Sequence, residues 1–277
     1  MIKPLGKEFR LKRLIRCETN SSVICALDHG MTSPKFLSGL RDMKARVNEV
    51  QRGGGNVFMM GKGFARITVG EFMRDTSWAM LLSASAAGCP KPNIVVQIAE
   101  VEEALRLGAD AVVVYVALTG ENEPQMIRFV GEVGRECEKL GMPFIAEAEY
   151  PSAYATLEEL KQEYGFDYLL RNSRLCVELG ADIVKTNWPG DQELFAQIVE
   201  ATAVPMVVAG GTLISDEELL TRMEQAMEVG AIGCSVGRNI FQHENPFALT
   251  RALSRVIHER WGAKDALEEL RATLHQG

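Results

Sequence analysis

Short apolar runs alternate with amphipathic stretches eight times along this chain, and that rhythm leaves few folds open. The runs are Val23-Ile24-Cys25-Ala26-Leu27, Asn56-Val57-Phe58-Met59-Met60, Met80-Leu81-Leu82, Ala111-Val112-Val113-Val114-Tyr115-Val116, Pro143-Phe144-Ile145-Ala146-Glu147, Asp182-Ile183-Val184-Lys185-Thr186-Asn187, Pro205-Met206-Val207-Val208-Ala209-Gly210-Gly211 and Ala231-Ile232-Gly233-Cys234-Ser235-Val236-Gly237-Arg238. Helical patterns are expected near Gly39 to Gln51, Phe64 to Phe72, Ile94 to Leu107, Pro124 to Leu140, Leu157 to Leu179, Glu193 to Thr202, Glu217 to Val229 and Phe247 to Arg260. The third strand is ambiguous, because Trp78 to Ala87 also reads as helix. Eight strands separated by helices predict a parallel (β/α)8 or TIM barrel, an α/β fold, with an extra C-terminal helix from Ala263 to Leu274. At 277 residues the chain is near the roughly 250 typical of such a barrel, so residues 1–277 read as a single domain.

Three helix exits share one device. Leu107-Gly108-Ala109-Asp110, Leu179-Gly180-Ala181-Asp182 and Val229-Gly230-Ala231-Ile232 each put glycine after an apolar turn, where a left-handed residue closes the helix before a strand. Such turns speak to fold and name no function. Gly53-Gly54-Gly55 reads as a flexible helix exit, and Gly61-Lys62-Gly63 as a weak pointer to a second cation at the barrel mouth.

Barrel enzymes place their chemistry at the carboxyl ends of the strands. Lys185 ends the sixth run, where a lysine is hard to explain as packing. In an apolar wall an ammonium loses hydration, its pKa falls, and the free amine is a carbonyl nucleophile. Moving a lysine from about 10.4 to near 7 takes roughly 4 kcal/mol, within the reach of burial. The bland alternatives are a surface lysine just past a strand, or a partner for Asp182.

Gly210-Gly211 ends the seventh strand and Gly237-Arg238 the eighth, and the loops after these strands are a frequent phosphate cradle. Glycine lets backbone amides approach an anion, and the Arg238 guanidinium offers a bidentate grip. Asp28 and His29 follow the first strand, placing a carboxylate and an imidazole at the same rim. Glu147, Glu149 and Tyr150 end the fifth, with the two glutamates on one face if the strand stays regular. Tyr150 is the acid/base candidate for a substrate hydroxyl, against the plainer reading of an interfacial aromatic with its hydroxyl in water.

The net charge of −7 argues against a nucleic-acid surface. No apolar run approaches a membrane span and the start lacks an apolar signal core, so a cytoplasmic protein is expected. Cys17, Cys25, Cys89, Cys137, Cys176 and Cys234 form no C-x-x-C pair and read as reduced core thiols. His29, His243, His258 and His275 lack zinc-site spacing, so no metal ligand is assigned.

Together, Ala26-Leu27-Asp28-His29-Gly30, Glu149-Tyr150-Pro151, Ala181-Asp182-Ile183-Val184-Lys185-Thr186, Val208-Ala209-Gly210-Gly211 and Ser235-Val236-Gly237-Arg238-Asn239-Ile240-Phe241-Gln242 resemble the DhnA/DeoC-like class I aldolases. That group includes archaeal-type fructose-bisphosphate aldolases, aminodideoxyheptulosonate synthases and the autoinducer-2 phosphate thiolase. The resemblance implies a Schiff-base lysine at Lys185, a tyrosine acid/base at Tyr150, an aspartate at Asp28, and phosphate held by Gly210, Gly211, Gly237 and Arg238. It implies no metal or organic cofactor, a phosphorylated small-molecule substrate, and a homo-oligomer. The archaeal-type aldolases usually continue the tyrosine motif as Tyr-Pro-Arg-Gly, whereas this chain has Tyr150-Pro151-Ser152-Ala153. A coenzyme A-dependent thiolase and a non-catalytic sugar-phosphate-binding barrel are the alternatives.

Overall fold

The structure is a computed structural model and describes residues 4–33, 35–85, 94–151 and 157–275. Strands β1 (Ser22–Ala26), β2 (Val57–Met60), β3 (Ser77–Leu81), β4 (Ala111–Val116), β5 (Phe144–Ala148), β6 (Ile183–Thr186), β7 (Met206–Ala209) and β8 (Gly233–Val236) pair in parallel and in chain order. Pairing of Val23 with Cys234 and Cys25 with Val236 closes β1 onto β8, which makes the predicted TIM barrel. Gly233 (φ +150°) carries this seam, since a Cβ there would strike the Ser22 carbonyl oxygen.

Period-two alternation sorts each strand into two faces. Ile24, Val57, Met59, Ala79, Leu81, Val113, Ile145, Ile183 and Val207 fill the barrel interior. Val23, Cys25, Phe58, Met80, Val112, Phe144, Val184 and Val208 pack outward against the helices. Because Ile183 points inward, so must Lys185 two residues on, above the apolar plug.

Helix Leu5–Leu14, absent from the sequence reading, closes the opposite end. Leu14 is fully buried with the interior cluster, and its carbonyl accepts a 2.9 Å hydrogen bond from Asn56 Nδ2. Arg13 likewise gives its carbonyl to Ser77 Oγ at 3.0 Å. This end of the barrel is therefore sealed.

Several boundaries moved. The third strand starts at Ser77, where the Trp78 indole donates to the Met60 carbonyl at 3.1 Å and burial outweighs the helical pattern. The helix expected from Ile94 begins only at Val101; Val95–Gln97 instead pairs antiparallel with Ser83–Ser85 in a small ribbon beside the mouth. The stretch from Leu157 to Leu179 divides into Leu157–Glu163 and Gly165–Glu178, because Gly165 adopts φ +71°. Gly108, Gly180 and Gly230 take positive φ, as expected of helix exits.

Gly53 to Gly55 is a close contact rather than a flexible exit. A Cβ on Gly53 would lie 2.7 Å from the Phe247 carbonyl oxygen, so the glycines let helix Met43–Arg52 lie against helix Pro246–His258. Cys25, Cys137, Cys176 and Cys234 are buried free thiols, but Cys17 is exposed, and Cys89 falls outside the described residues. The C-terminal helix Ala263–His275 buries Ala266, Leu267 and Leu270 within its own chain, and Glu269 pairs with Arg255 at 3.0 Å. No helix among the described residues is long and apolar enough to cross a membrane.

Candidate active site

The carboxyl ends of the strands surround one cleft, lined among others by Asp28, His29, Glu147, Glu149, Tyr150, Lys185, Gly210, Gly211, Gly237 and Arg238. Every residue singled out at the strand ends thus faces a common space. Lys62, the suggested second cation, is not part of it: its ammonium pairs with Glu103 at 2.8 Å on the outer surface. Ser152 and Ala153, where the tyrosine motif departs from the archaeal type, lie outside the described residues.

Lys185 is 7% exposed, which removes the surface reading. Asp182 is not its partner either, because that carboxylate accepts from Lys7 at 3.0 Å and from the Phe144 amide at 2.9 Å at the far end of the barrel. Strand register sets Glu147 of β5 directly beside Lys185 of β6, and Nζ lies 2.5 Å from Glu147 Oε1 and 2.8 Å from Glu149 Oε1.

This geometry overturns the expectation of a depressed lysine pKa. Burial alone would lower it, but Glu147, then Glu149, then Asp28 hold the ammonium well above its ordinary value. Each contacting carboxylate attracts it by about 6 kcal/mol at an effective dielectric of about 20, against a desolvation penalty of several kcal/mol, so attraction wins. Glu147 moves the other way from a normal ion-paired acid: burial, reinforced by the nearby Glu149 and Asp28 charges, raises its carboxyl despite Lys185. Burial also opposes the ionisation of Asp28, but His29, 3.2 Å away, and Lys185 hold that carboxyl below its ordinary range.

Tyr150 is 1% exposed and stacks on Tyr168 at 5.9 Å between ring centroids, with Tyr164 alongside at 6.2 Å. Its hydroxyl donates a long 3.3 Å bond to the Gly165 carbonyl, and burial pushes its pKa up to about 12, so it is a protonated donor at neutral pH. The hydroxyl in water imagined from the sequence is thereby excluded. Its amide donates to Asn187 Oδ1 at 2.7 Å, and its carbonyl accepts from Tyr115 Oη at 2.6 Å.

The glycines at the other side of the cleft are required by space. A Cβ on Gly210 would lie 2.9 Å from Val236 Cγ1, and one on Gly237 would lie 2.5 Å from the Ala26 carbonyl oxygen and 2.6 Å from His29 Cε1. Gly211 takes φ +67°, which favours glycine. Asn239 ties the two loops: Nδ2 donates to the carbonyls of Gly210 (3.2 Å) and Thr212 (3.1 Å), and Oδ1 accepts from the Ile214 amide (3.0 Å). The result is a hollow in the cleft wall at Gly210, Gly211 and Gly237, where no side chain intrudes, with Arg238 also in the lining.

Sequence reasoning missed Tyr115, Arg222 and Trp188 in the lining. Tyr115 had a signal, a polar tip inside the apolar run Val114-Tyr115-Val116. Arg222 had none, because it sits mid-helix and reaches the cleft only through the fold. Among the described residues no group of three His, Cys, Asp or Glu is arranged to hold a metal ion.

Residues 22–243 match the family model described as DeoC/LacD family aldolase. The chain is 34% identical to the 2-amino-3,7-dideoxy-D-threo-hept-6-ulosonate synthase of Halobacterium salinarum, over 92% of each protein. It is also 34% identical to the 2-amino-4,5-dihydroxy-6-oxo-7-(phosphonooxy)heptanoate synthase of Streptomyces griseus, over 92% of this chain and 91% of the relative. Among solved structures, an archaeal fructose 1,6-bisphosphate aldolase superposes with a TM-score of 0.77 at 23% identity, covering 92% of this chain and 99% of the other. The fructose-bisphosphate aldolase from Slackia heliotrinireducens gives a TM-score of 0.82 at 17% identity, covering 99% and 94%. These two structural likenesses speak to the fold.

Proposed function

Because the chain belongs to the DeoC/LacD family of aldolases, we propose that it makes or breaks a carbon–carbon bond of a phosphorylated ketose through a Schiff base on Lys185. The observation that carries this reading is a buried lysine at the carboxyl end of β6, in the same cleft as the hollow formed by Gly210, Gly211, Gly237 and Arg238. A phosphate anchored in that hollow presents the ketone of a short sugar toward Nζ. Once the Lys185 ammonium has given one proton to a carboxylate in contact with it, the amine attacks the carbonyl carbon, water leaves with that proton returned to it, and the iminium withdraws electrons as the C3–C4 bond breaks to an enamine. Tyr150 moves the proton of the substrate hydroxyl, and Asp28 with His29 shapes the charge at the rim.

The names of the curated relatives support this reading. One makes a ketone bearing a phosphonooxy group, and both are synthases, which favours bond formation with an aldehyde as the working direction.

The test uses dihydroxyacetone phosphate, the smallest phosphorylated ketose, with sodium borohydride. Peptide mass mapping is expected to find the reduced adduct on Lys185, with none in Lys185→Met. Aldehyde release from phosphorylated ketoses without any trapped adduct would sink the Schiff base, and loss of activity in EDTA restored by a divalent ion would replace it with metal chemistry.

A further inference from the structure

We propose that Arg222 is a specificity-determining residue of the cleft, a second guanidinium that leaves Glu218 to grip, together with Arg238, the phosphate of the ligand. This deepens the reading above and rests on its phosphate hollow at Gly210, Gly211 and Gly237, not on the Schiff base. Helix Asp216–Glu228 follows β7 through residues 210–215, so its amino end faces the carboxyl rim of the barrel. Arg222 lies roughly 10 Å along the axis from the Ser215 cap. Helical side chains lean toward the amino end, so a long one at this depth reaches back up to the rim. Its contacts agree: Nη2 donates to Oε1 of Glu218, one turn nearer the rim, and the side chain joins Gly211, Thr212 and Trp188 in the cleft lining.

That pairing leaves most of the guanidinium unused. The Arg222 side chain is 17% exposed, yet its one hydrogen bond among the described residues goes to a carboxylate that is 48% exposed. Only one of its N–H donors is thereby engaged. A pair four residues apart with so hydrated a carboxylate contributes little, so Arg222 can leave it at small cost.

The rest of the cleft supplies the demand. Lys185 is held by Glu147 and Glu149, which commits its charge elsewhere. A phosphate ester carries about −1.5 to −2 at neutral pH, which one guanidinium neutralises only in part. Asp216, Glu217 and Glu218 occupy the first turn of the helix, so its amino end is no anion site by itself and the positive charge must come from a side chain. The planar fork of an arginine can hold two phosphate oxygens at once. Arg222 therefore exchanges a hydrated single charge for an anion of nearly twice the charge inside the cleft.

The plain alternative, a surface staple within one helix, predicts different signs. If the pair only braces the helix, losing either member has the same effect. If Glu218 competes with the ligand for Arg222, losing the glutamate tightens binding and losing the arginine weakens it.

The probe is sn-glycerol 3-phosphate, which has no carbonyl to condense with Lys185, titrated calorimetrically into the full chain. Arg222→Gln is expected to raise Kd about tenfold, and Arg222→Lys, which keeps the charge but not the fork, about threefold. The lysine variant also serves if the glutamine variant fails to fold. Glu218→Gln is expected to lower Kd about two- to threefold in the wild type and to change nothing in the Arg222→Gln background. In borohydride trapping, Arg222→Gln is expected to raise the half-saturating concentration of dihydroxyacetone phosphate but not that of dihydroxyacetone. An unchanged Kd in both arginine variants, a Glu218→Gln that weakens binding as they do, or one that tightens it equally without Arg222, overturns the role of Arg222 and leaves the hollow standing. Absence of wild-type binding overturns the hollow itself and the role of Arg222 with it, so the two failures are distinct.

Discussion

Lys7 Nζ lies 3.0 Å from Asp182 Oδ2, burying an ion pair at the amino end of the strand that carries Lys185 at its other end. Lys7 is 2% exposed, and Glu138 gives the ammonium a second contact at 3.0 Å. The pair fastens helix Leu5–Leu14 under β5 and β6. Removing one member of a buried pair leaves an unmatched charge, which costs about 3–5 kcal/mol. Asp182 keeps its hydrogen bond from the Phe144 amide, so Lys7→Met should fall at the low end, about 3 kcal/mol in urea denaturation, with kcat unchanged while the protein stays folded.

His258 sets an acid limit on stability. Burial, aided by the Arg16 charge, lowers its pKa to about 4, while its Nδ1 lies 2.7 Å from Ser21 Oγ. A base whose folded pKa lies below its unfolded value binds more protons when unfolded, so stability rises with pH through the interval between the two. The contribution is complete above about pH 6.5 and is lost progressively down to about pH 4, a change of about 3 kcal/mol. His258→Gln should flatten this part of the stability profile measured by chemical denaturation at stepped pH; an unchanged slope would remove His258 as its source.

Asn239→Ala should loosen the anion hollow without touching Lys185. Three hydrogen bonds that hold Gly210, Thr212 and Ile214 are lost together. KM for a phosphorylated ketose is expected to rise about tenfold, equivalent to about 1.4 kcal/mol, with a smaller change in kcat. Turnover of the same sugar without its phosphate should hardly change, and an equal loss for both sugars would place the effect elsewhere.

Tyr150→Phe separates the two halves of the proposed reaction. The ring stack with Tyr164 and Tyr168 survives, while the hydroxyl that bonds the Gly165 carbonyl is gone. Carbon–carbon cleavage should slow by about a hundredfold, the usual scale for losing one acid/base group, while borohydride still traps ketone on Lys185. Full cleavage activity in this variant would give the hydroxyl proton to another residue.

The barrel was legible because periodicity and glycine helix exits are local signals. Lys185, Asp28, Tyr150 and the paired glycines could be singled out as residues of one cleft for the same reason, each lying at or just past the end of a recognisable run. The electrostatic environment of Lys185 was not, because Glu147 and Glu149 reach it through the register between β5 and β6, which no local pattern specifies. The lysine therefore read as sitting in an apolar wall, when it sits between two acids. Helix Leu5–Leu14 escaped notice because its apolar positions are sparse and its anchor, Lys7, is a charged residue whose burial depends on Asp182, far along the chain. Likewise the Ile94 region looked helical until pairing with Ser83–Ser85 claimed it.

The seam between β1 and β8 joins parts of the chain that emerge far apart during synthesis. Asp28 and His29 are made early and Gly237 and Arg238 late, yet a Cβ on Gly237 would touch His29, so the two segments complete one another only after the last strand inserts. A nascent or truncated chain ending before β8 would carry Lys185 and its acids but would lack the wall of the cleft that Gly237 and Arg238 supply. A ligand that needs the whole cleft would therefore bind only once the ring has shut.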